Sequence, residues 1–400
     1  MSPSPAEFTV AHYTRQWLPQ TQTWLYNQVR FLPDDVAAHV ICECTENLDQ
    51  FRVPNLHCLA DAGTWPYYRD VGLRFLGVRP HYRYTVEQVR ACGADLLHTH
   101  FGDASWRNLA VSRQTGVKHV VTFYGNDVTS YPQQDPRWGE RYREMFAHVD
   151  AVLCEGPHMA QSVVDLGCAS EKVHVHHLGV PVETIDYAPR TYTPGEPLRV
   201  LLAASFREKK GIPYAIEALG ALREDVPLEV TILGGVAEVP LIGPITKPVS
   251  GSAAEEERIL EAIERWDLGD AVRLLGYQPH DVLMEEAYAH HVFLQPSVTA
   301  STGDGEGGAP VTLIEMAASG MPIVSTHHCD IPSVVRDGES GFLAPERDPD
   351  ALVQHLRHLV EHPDRWSDLA TAGRAHVEQE YNARVQGKRL ADLYRQVVGG

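Results

Sequence analysis

The stretch from Gly303 to Gly320, Gly-Asp-Gly-Glu-Gly-Gly-Ala-Pro-Val-Thr-Leu-Ile-Glu-Met-Ala-Ala-Ser-Gly, constrains this chain more than any other. Four glycines in six residues (Gly303, Gly305, Gly307, Gly308) predict a loop that can take positive φ and approach a ligand closely. Pro310 suits the first helical position, where its missing N–H costs nothing. Val311, Leu313, Ile314, Met316, Ala317 and Ala318 predict the helix body, and Gly320 its stop, with Pro322 just beyond. Ile323–Thr326 then reads as a buried strand. Such a helix start, with free N–H groups at the positive end of the dipole, suits an anion. Glu306 before the helix and Glu315 inside it are electrostatically odd there unless they accept from hydroxyls, as on a ribose or a hexose. The plainer reading is an acidic surface loop leading into an ordinary amphipathic helix.

At 400 residues the chain is long enough for two or three domains. A net charge of −19 argues against a nucleic-acid partner and against general attraction to anionic membrane. The seven cysteines include no CxxC pair, and Cys42, Cys44 and Cys58 with His57 match no standard zinc spacing. They read as buried thiols, and no metal is expected. With no charged-then-apolar leader and no run near 18 apolar residues, the expectation is a cytoplasmic chain.

Strands alternate with helices from end to end, which predicts parallel βαβ units. In the first half, Phe8–His12, Val36–Cys42 and Val117–Phe123 read as strands, Asp95–Gly102 as a strand running into a loop, Ala151–Met159 as a strand and helix start, and Lys172–Pro181 as the last strand. Thr21 or Thr23 is a candidate N-cap for a helix reaching Arg30. His98-Thr-His100 and Tyr124-Gly-Asn-Asp127 fall at the carboxyl ends of strands, where open α/β sheets bind ligands. His100 is read either as a satisfied core histidine or as a ligand-facing one. Asp127 either orients an acceptor hydroxyl or caps the turn. Tyr67–Arg90 holds five arginines against Asp70 and Glu87, with several aromatics. It is a solvated helix face or a surface for an anionic or lipid-linked partner at a membrane. Tyr187–Pro197 is the expected linker. In the second half, Leu198–Ala204 leads through Ser205-Phe-Arg-Glu-Lys-Lys-Gly211 into a helix at Ile212–Leu222. A strand with a glycine turn at Val230–Gly235, an excursion over 236–254, a helix at Glu255–Trp266 and a strand and loop at Val272–Pro279 follow. Neither half has a GxGxxG fingerprint after its first strand, which disfavours a nicotinamide enzyme.

Glu306-Gly-Gly-Ala-Pro-Val-Thr-Leu-Ile-Glu315-Met-Ala-Ala-Ser-Gly-Met-Pro-Ile-Val resembles the donor-site signature of retaining GT-B glycosyltransferases of the family 4 type. In that signature seven residues separate the glutamates; here eight do, the extra one a loop glycine. The resemblance is strong over 198–396 and weaker over 8–182. Pro19-Gln-Thr-Gln-Thr-Trp24 is similar to a segment of an exopolysaccharide-building subgroup, which makes Thr23 a candidate near the donor phosphates or the acceptor. Tyr124 stands where the family commonly has histidine.

The resemblance implies two facing Rossmann-like domains with parallel sheets: 1–187 for the acceptor, 188–378 for the nucleotide sugar, and a helix over 379–400 crossing back to the first. It implies metal-free hexosyl transfer, with retention, from a UDP- or GDP-type sugar to a carbohydrate, lipid-linked or small acceptor. The sugar nucleotide would be a co-substrate and no cofactor is implied. Lys210 and Arg207 (with Ser205 where the family has arginine) would grip the diphosphate. Glu306, Gly307, Gly308 and Ala309 would hold the sugar, with Pro310, Val311 and Thr312 at the helix start. Glu315 would hold the ribose, Gly235 would belong to the donor site, and backbone atoms near Tyr277 would read the base. His100, Tyr124, Asn126 and Asp127 would face the acceptor, with His100 a catalytic candidate. The expected location is the cytoplasm, peripherally at the inner face of the membrane through the first domain. An epimerase or phosphorylase on the same fold, and a non-catalytic sugar-nucleotide regulator, are the alternatives.

Overall fold

The computed structural model describes residues 7–19, 22–79, 81–236, 238–242, 245–249 and 251–399. They form two compact units, Met1–Pro181 with Tyr381–Gly400, and Val182–Glu380. The first unit contains seven strands: β1 (Phe8–Trp17), β2 (Val36–Thr45), β3 (Leu56–Cys58), β4 (Leu96–His100), β5 (Lys118–Thr122), β6 (Ala151–Cys154) and β7 (Val173–Val175). Every pairing is parallel, in the order β3-β2-β1-β4-β5-β6-β7. The second unit contains β8 (Leu198–Ala203), β9 (Leu228–Leu233), β10 (Glu238–Ile242), β11 (Ile245–Pro248), β12 (Val272–Gly276), β13 (Val292–Gln295), β14 (Ile323–Thr326) and β15 (Phe342–Ala344). Its main sheet is parallel, in the order β12-β9-β8-β13-β14-β15. These are two Rossmann-like domains. Helices cover both faces of such sheets, so their strands read as continuous apolar runs, as in Leu198-Arg-Val-Leu-Leu-Ala.

Strand order reverses between β1 and β4 in the first sheet, and between β8 and β13 in the second. Each reversal opens a crevice outside the strands' carboxyl ends, the usual ligand position in such sheets.

The last helix, Ala383–Gly399, belongs to the first unit. Leu390, Ala391 and Tyr394 are fully buried in one cluster with Phe8, Val10 and Leu96. Burying a side chain such as Leu390 stabilises by about 2 kcal/mol. The helix also needs Gly387, because a Cβ there would stand 2.0 Å from the Phe31 carbonyl oxygen.

The structure corrects several sequence expectations. Strand β1 continues five residues past His12 to Trp17, whose buried indole N–H donates to the Phe51 carbonyl at 2.9 Å. Thr23 is the first residue of its helix rather than the cap; Gln22 occupies the cap position, and no side chain caps it. Thr21 lies outside the described residues. Pro310 is likewise the cap residue, with φ −57° and ψ 131°, and the helix begins at Val311. The 236–254 excursion is an antiparallel β10–β11 hairpin running into a helix that already starts at Ser252. Tyr187–Pro197 is no loose connector. Buried Arg190 donates to the Ser319 and Ala287 carbonyls at 2.8 and 2.7 Å, and Ala188 N–H to Ser319 at 3.0 Å. Of the three cysteines near His57, Cys42 and Cys58 are buried register partners on β2 and β3, whereas Cys44 is exposed. Among the described residues no helix is long and apolar enough to cross a membrane.

Candidate functional site

The loops at the switch point of the second sheet gather charge. After β8 the chain makes a tight turn over Glu208–Lys210, and Gly211, at φ 64°, starts the helix Ile212–Leu222. A Cβ on Gly211 would lie 1.9 Å from the Pro296 carbonyl oxygen, so only glycine lets this turn approach the loop after β13. That approach brings three cations against two carboxylates. Arg207 Nη2 donates to Asp304 at 2.6 Å. Lys210 Nζ lies 2.8 and 2.9 Å from the two Glu306 oxygens, and Ser297 Oγ donates to the same carboxylate at 2.8 Å. Lys209 lies underneath, nearly buried, donating to the Gly305 carbonyl at 2.7 Å, with Asp304 at 3.5 Å and Glu306 at 3.9 Å. Burial alone would push the Glu306 carboxyl up, but Lys210 and Lys209 outweigh it and hold it at about 2. Desolvation lowers the Lys209 ammonium, and Glu306 opposes that. Three cations over two carboxylates leave one positive charge in excess, so the cluster still favours an anion.

The backbone of Glu306 is held as firmly as its side chain. Its N–H donates to His328 Nε2 at 3.0 Å, and His328 Nδ1 lies 2.6 Å from Glu346. Glu346 also accepts from the Thr299 N–H at 2.7 Å, so its carboxyl is held below the usual range against the effect of burial. Gly307 follows at φ 82°.

One helical turn into Val311–Ser319, buried Glu315 accepts from His280 Nε2 at 2.9 Å, which raises the imidazole pKa. Thr312 Oγ1 donates to the Gln295 side-chain oxygen at 2.9 Å, and buried Gln295 Nε2 has no protein partner. A buried donor of this kind suits a ligand or water. Gly235 and the half-exposed Tyr277 ring are neighbours, since a Cβ on Gly235 would lie 3.4 Å from the ring. The backbone oxygen of Ser205 accepts from the Arg207 N–H at 2.9 Å.

The switch point of the first sheet carries different chemistry. His100 is fully buried; its Nε2 lies 3.1 Å from His12 Nδ1 and its Nδ1 2.7 Å from the Tyr124 hydroxyl. His98 joins Tyr394 and Thr122 at 2.5 and 2.6 Å. Candidate ligand nitrogens of His12, His98 and His100 lie within 4.8 Å of one another, yet only His12 Nε2 has no hydrogen-bond partner. Burial lowers all three imidazoles, His12 to about 3. Tyr124 lies 4.0 Å from the Trp24 ring centre and reaches Gln28 at 3.4 Å, which places it beside the helix that Thr23 begins. Buried Asp127 accepts the Gly102 N–H at 2.8 Å and the Tyr124 N–H at 3.0 Å, and burial lifts its carboxyl to about 7. Asn126 is exposed. Between the two loops Phe101 sits at φ 75°, a strained value for a residue with a side chain.

The structure therefore gathers Arg207, Lys210 and Glu306 in one place, Gly235 with Tyr277 in another, and His100, Tyr124 and Asp127 in a third. Sequence reasoning missed Lys209, Asp304, Ser297, His328, Glu346 and His280. The Ser205–Gly211 turn, with three cations, offered a signal for a buried lysine. Nothing local pointed to His328 or Glu346.

Comparison with known proteins bears on the family and the fold. Residues 186–376 match the family described as glycosyl transferases group 1, and 21–184 match glycosyltransferase family 4. The amylovoran biosynthesis glycosyltransferase AmsK of Erwinia amylovora is 31% identical over 310 residues, 76% of this chain and 71% of that protein. The putative colanic acid biosynthesis glycosyltransferase WcaL of Escherichia coli K12 is 34% identical over 309 residues, 75% and 70% of the two chains. Anabaena Alr3699/HepE, solved in complex with UDP and glucose, superposes with a TM-score of 0.75 at 15% identity, over 97% of this chain and all of that one. The two family matches together span most of the chain and the relatives share about a third of the aligned residues, and the chain belongs to the group 1, family 4 type of GT-B glycosyltransferases.

Proposed function

We propose that this enzyme moves a hexosyl group from a nucleoside diphosphate sugar to an acceptor hydroxyl, with retention, during assembly of an extracellular polysaccharide. The observation that carries the reading is the Arg207–Lys209–Lys210 cluster against Asp304 and Glu306, one positive charge in excess at the second switch point. Lys210 and Arg207 would exchange carboxylate for diphosphate oxygens and stabilise the leaving group. Glu306 and the Gly307–Ala309 backbone would hold the sugar, and Glu315 the ribose hydroxyls. His280, already bonded to Glu315, would orient that carboxylate. The bond from the anomeric carbon to the phosphate oxygen breaks as the acceptor oxygen bonds on the same face. The acceptor proton passes to the departing phosphate, so no protein nucleophile and no metal enters the step. The first unit would present the acceptor to Tyr124 and the exposed Asn126, with His100 and Asp127 fixing the loops beneath them. The amylovoran and colanic acid relatives support a polysaccharide product, and the HepE complex supports a UDP-type donor.

Thermal melting with UDP, GDP, ADP, CDP and dTDP, each at about a hundred times a plausible Kd, tests the donor half. Specific binding adds about 2.7 kcal/mol. One nucleotide should shift the melt, and Glu315→Ala should abolish that shift together with turnover. A shift that survives Glu315→Ala would remove Glu315 from the site.

A further inference from the structure

The edge of the first sheet holds two sulfurs that neither switch point involves. Strand β3 is the edge strand and pairs with β2, and the register sets Cys42 directly beside Cys58. Register partners in a parallel pair stand on the same face, with their strands about 4.8 Å apart. A disulfide spans Cα separations of about 4.4–6.8 Å, so this pair lies within its reach without backbone movement. The two thiols already touch, since the Cys42 S–H donates to the Cys58 sulfur. As a thiol, Cys58 in turn donates to the Glu43 carbonyl at 3.6 Å.

The surroundings of the two sulfurs are unequal. Cys58 ends β3, and the tight turn Leu59–Asp61 that follows brings the Ala60 and Asp61 N–H groups to its sulfur. With the Cys42 bond as the largest influence, these donors hold the Cys58 thiol below its ordinary value, against burial and the Asp61 carboxylate. Cys42 goes the other way, pushed well up by the same bond and then by burial. It is also the inner of the two, 1% exposed against 6%. Cys44, Cys92, Cys168 and Cys329 are all raised, each chiefly by burial, Cys44 to about 11. A stabilised thiolate beside a neutral thiol is the arrangement of an attacking and a resolving cysteine.

We propose that Cys58 is a hydroperoxide-reactive thiol and Cys42 its resolving partner, which makes the edge of the first sheet a site of reversible oxidation. The Cys58 sulfur attacks one peroxide oxygen and the O–O bond breaks. Hydroxide leaves and takes up the proton that Cys58 released, and Cys58 becomes a sulfenic acid. The Cys42 sulfur then attacks Cys58; the S–S bond forms, the S–O bond breaks, and the hydroxyl departs with the Cys42 proton as water. Two electrons pass from the sulfur pair to the peroxide, and a thiol reductant returns them. The oxidant must be small, because little of Cys58 is exposed; hydrogen peroxide, not much larger than water, meets that condition. Closure ties the three-residue β3 covalently to β2, and it does not depend on the glycosyltransferase reading.

The reduced full chain should be treated with hydrogen peroxide at pH 7, digested and mapped by mass spectrometry. Wild type should lose two hydrogens, link the peptide holding Cys42 to the peptide holding Cys58, and recover both thiols in dithiothreitol. Cys44→Ser should form the same link, which separates Cys42 from its neighbour in the same peptide. Cys42→Ser should stop at the sulfenic acid, trapped on Cys58 by dimedone. Cys58→Ser should slow the first phase of alkylation by iodoacetamide at pH 7 about tenfold, because the thiol with the largest thiolate fraction is gone. The wild-type and Cys44→Ser maps carry the test even where a substitution at buried Cys42 folds poorly. A wild-type chain whose Cys42 and Cys58 stay reduced, or oxidise separately without linking, would overturn the proposal. So would a link that Cys44→Ser abolishes, which would make Cys44 the resolving thiol.

Discussion

The two sheets share a topology and differ in what they place at the same point. At the second switch point the loops carry Arg207, Lys209, Lys210, Asp304 and Glu306, charged groups that satisfy one another with one cation in excess. At the first they carry His100, Tyr124 and Asp127, which are tied to His12, Gln28 and backbone N–H groups. Charged loops can trade a carboxylate for a phosphate and lose little. Loops built on buried neutral imidazoles cannot, because both His100 nitrogens are already committed and a charge there would be desolvated. The difference teaches that the fold supplies two equivalent switch points, and side-chain chemistry makes one a charged cluster and the other a buried neutral network.

The sharpest way to break this contrast is Glu306→Ala. It removes the partner of Lys210 and strands part of the charge on Lys209, so the second unit should lose about 3 kcal/mol in denaturant titration and transfer should cease. A loss below about 1 kcal/mol would mean that the cluster is solvated and weakly coupled.

Acid should separate the two units next. In the first unit His12 and His176 are held near 3 and His119 near 4 by burial, against an ordinary 6.5. Between those values the unfolded chain binds protons that the folded one refuses. Stability is therefore present above pH 6.5 and falls as pH drops, by about 1.4 kcal/mol per pH unit for each such group. Glu306, depressed to about 2, stabilises above its ordinary 4.5 and loses that only as pH falls toward 2. The second unit has fewer such histidines, with His291 at about 4. Hydrogen exchange at pH 7 and pH 5 should show the first unit opening more; equal opening in both would refute the contrast.

Asp127→Asn is a smaller test. The amide would point a donor at one of two backbone N–H groups, costing the first unit about 2 kcal/mol in a melting experiment. His280→Ala is the smallest. Its imidazole is half exposed, so the loss should stay below about 1 kcal/mol, present below pH 6.5 and fading as pH rises through the raised pKa. A weaker nucleotide response in this variant would confirm that His280 orients Glu315.

Much of this was legible in the chain. The Ile212–Leu222 helix has the limits its apolar run predicts, because Gly211 and Pro213 fix its start. The Gly303–Gly320 stretch folds as loop, helix and αL stop, with Gly320 at φ 82°. The helix starts were harder. Thr21-Gln-Thr23 offered neighbouring cap positions of similar propensity, and burial of Trp24 and Leu25 goes with the one adopted. His100 was an open choice in the sequence, and complete burial resolves its surroundings into a core network.

By itself the sequence determined the alternation of apolar strands and helices, the two glycine-dependent turns, and the presence of cations and carboxylates in the loops that follow β8 and β13. Those depend on local backbone geometry and on hydrophobic period, which neighbouring residues decide. Only the tertiary structure chose Lys209 over Lys210 for burial, paired Arg207 with Asp304, and brought His328 and Glu346 to the Glu306 loop. It also turned Asp70 and Arg74 inward and Trp65, Tyr68 and Phe75 outward on one helix. Those outcomes rest on contacts between residues far apart in the chain, where desolvation and charge pairing compete, and that competition has no local signature.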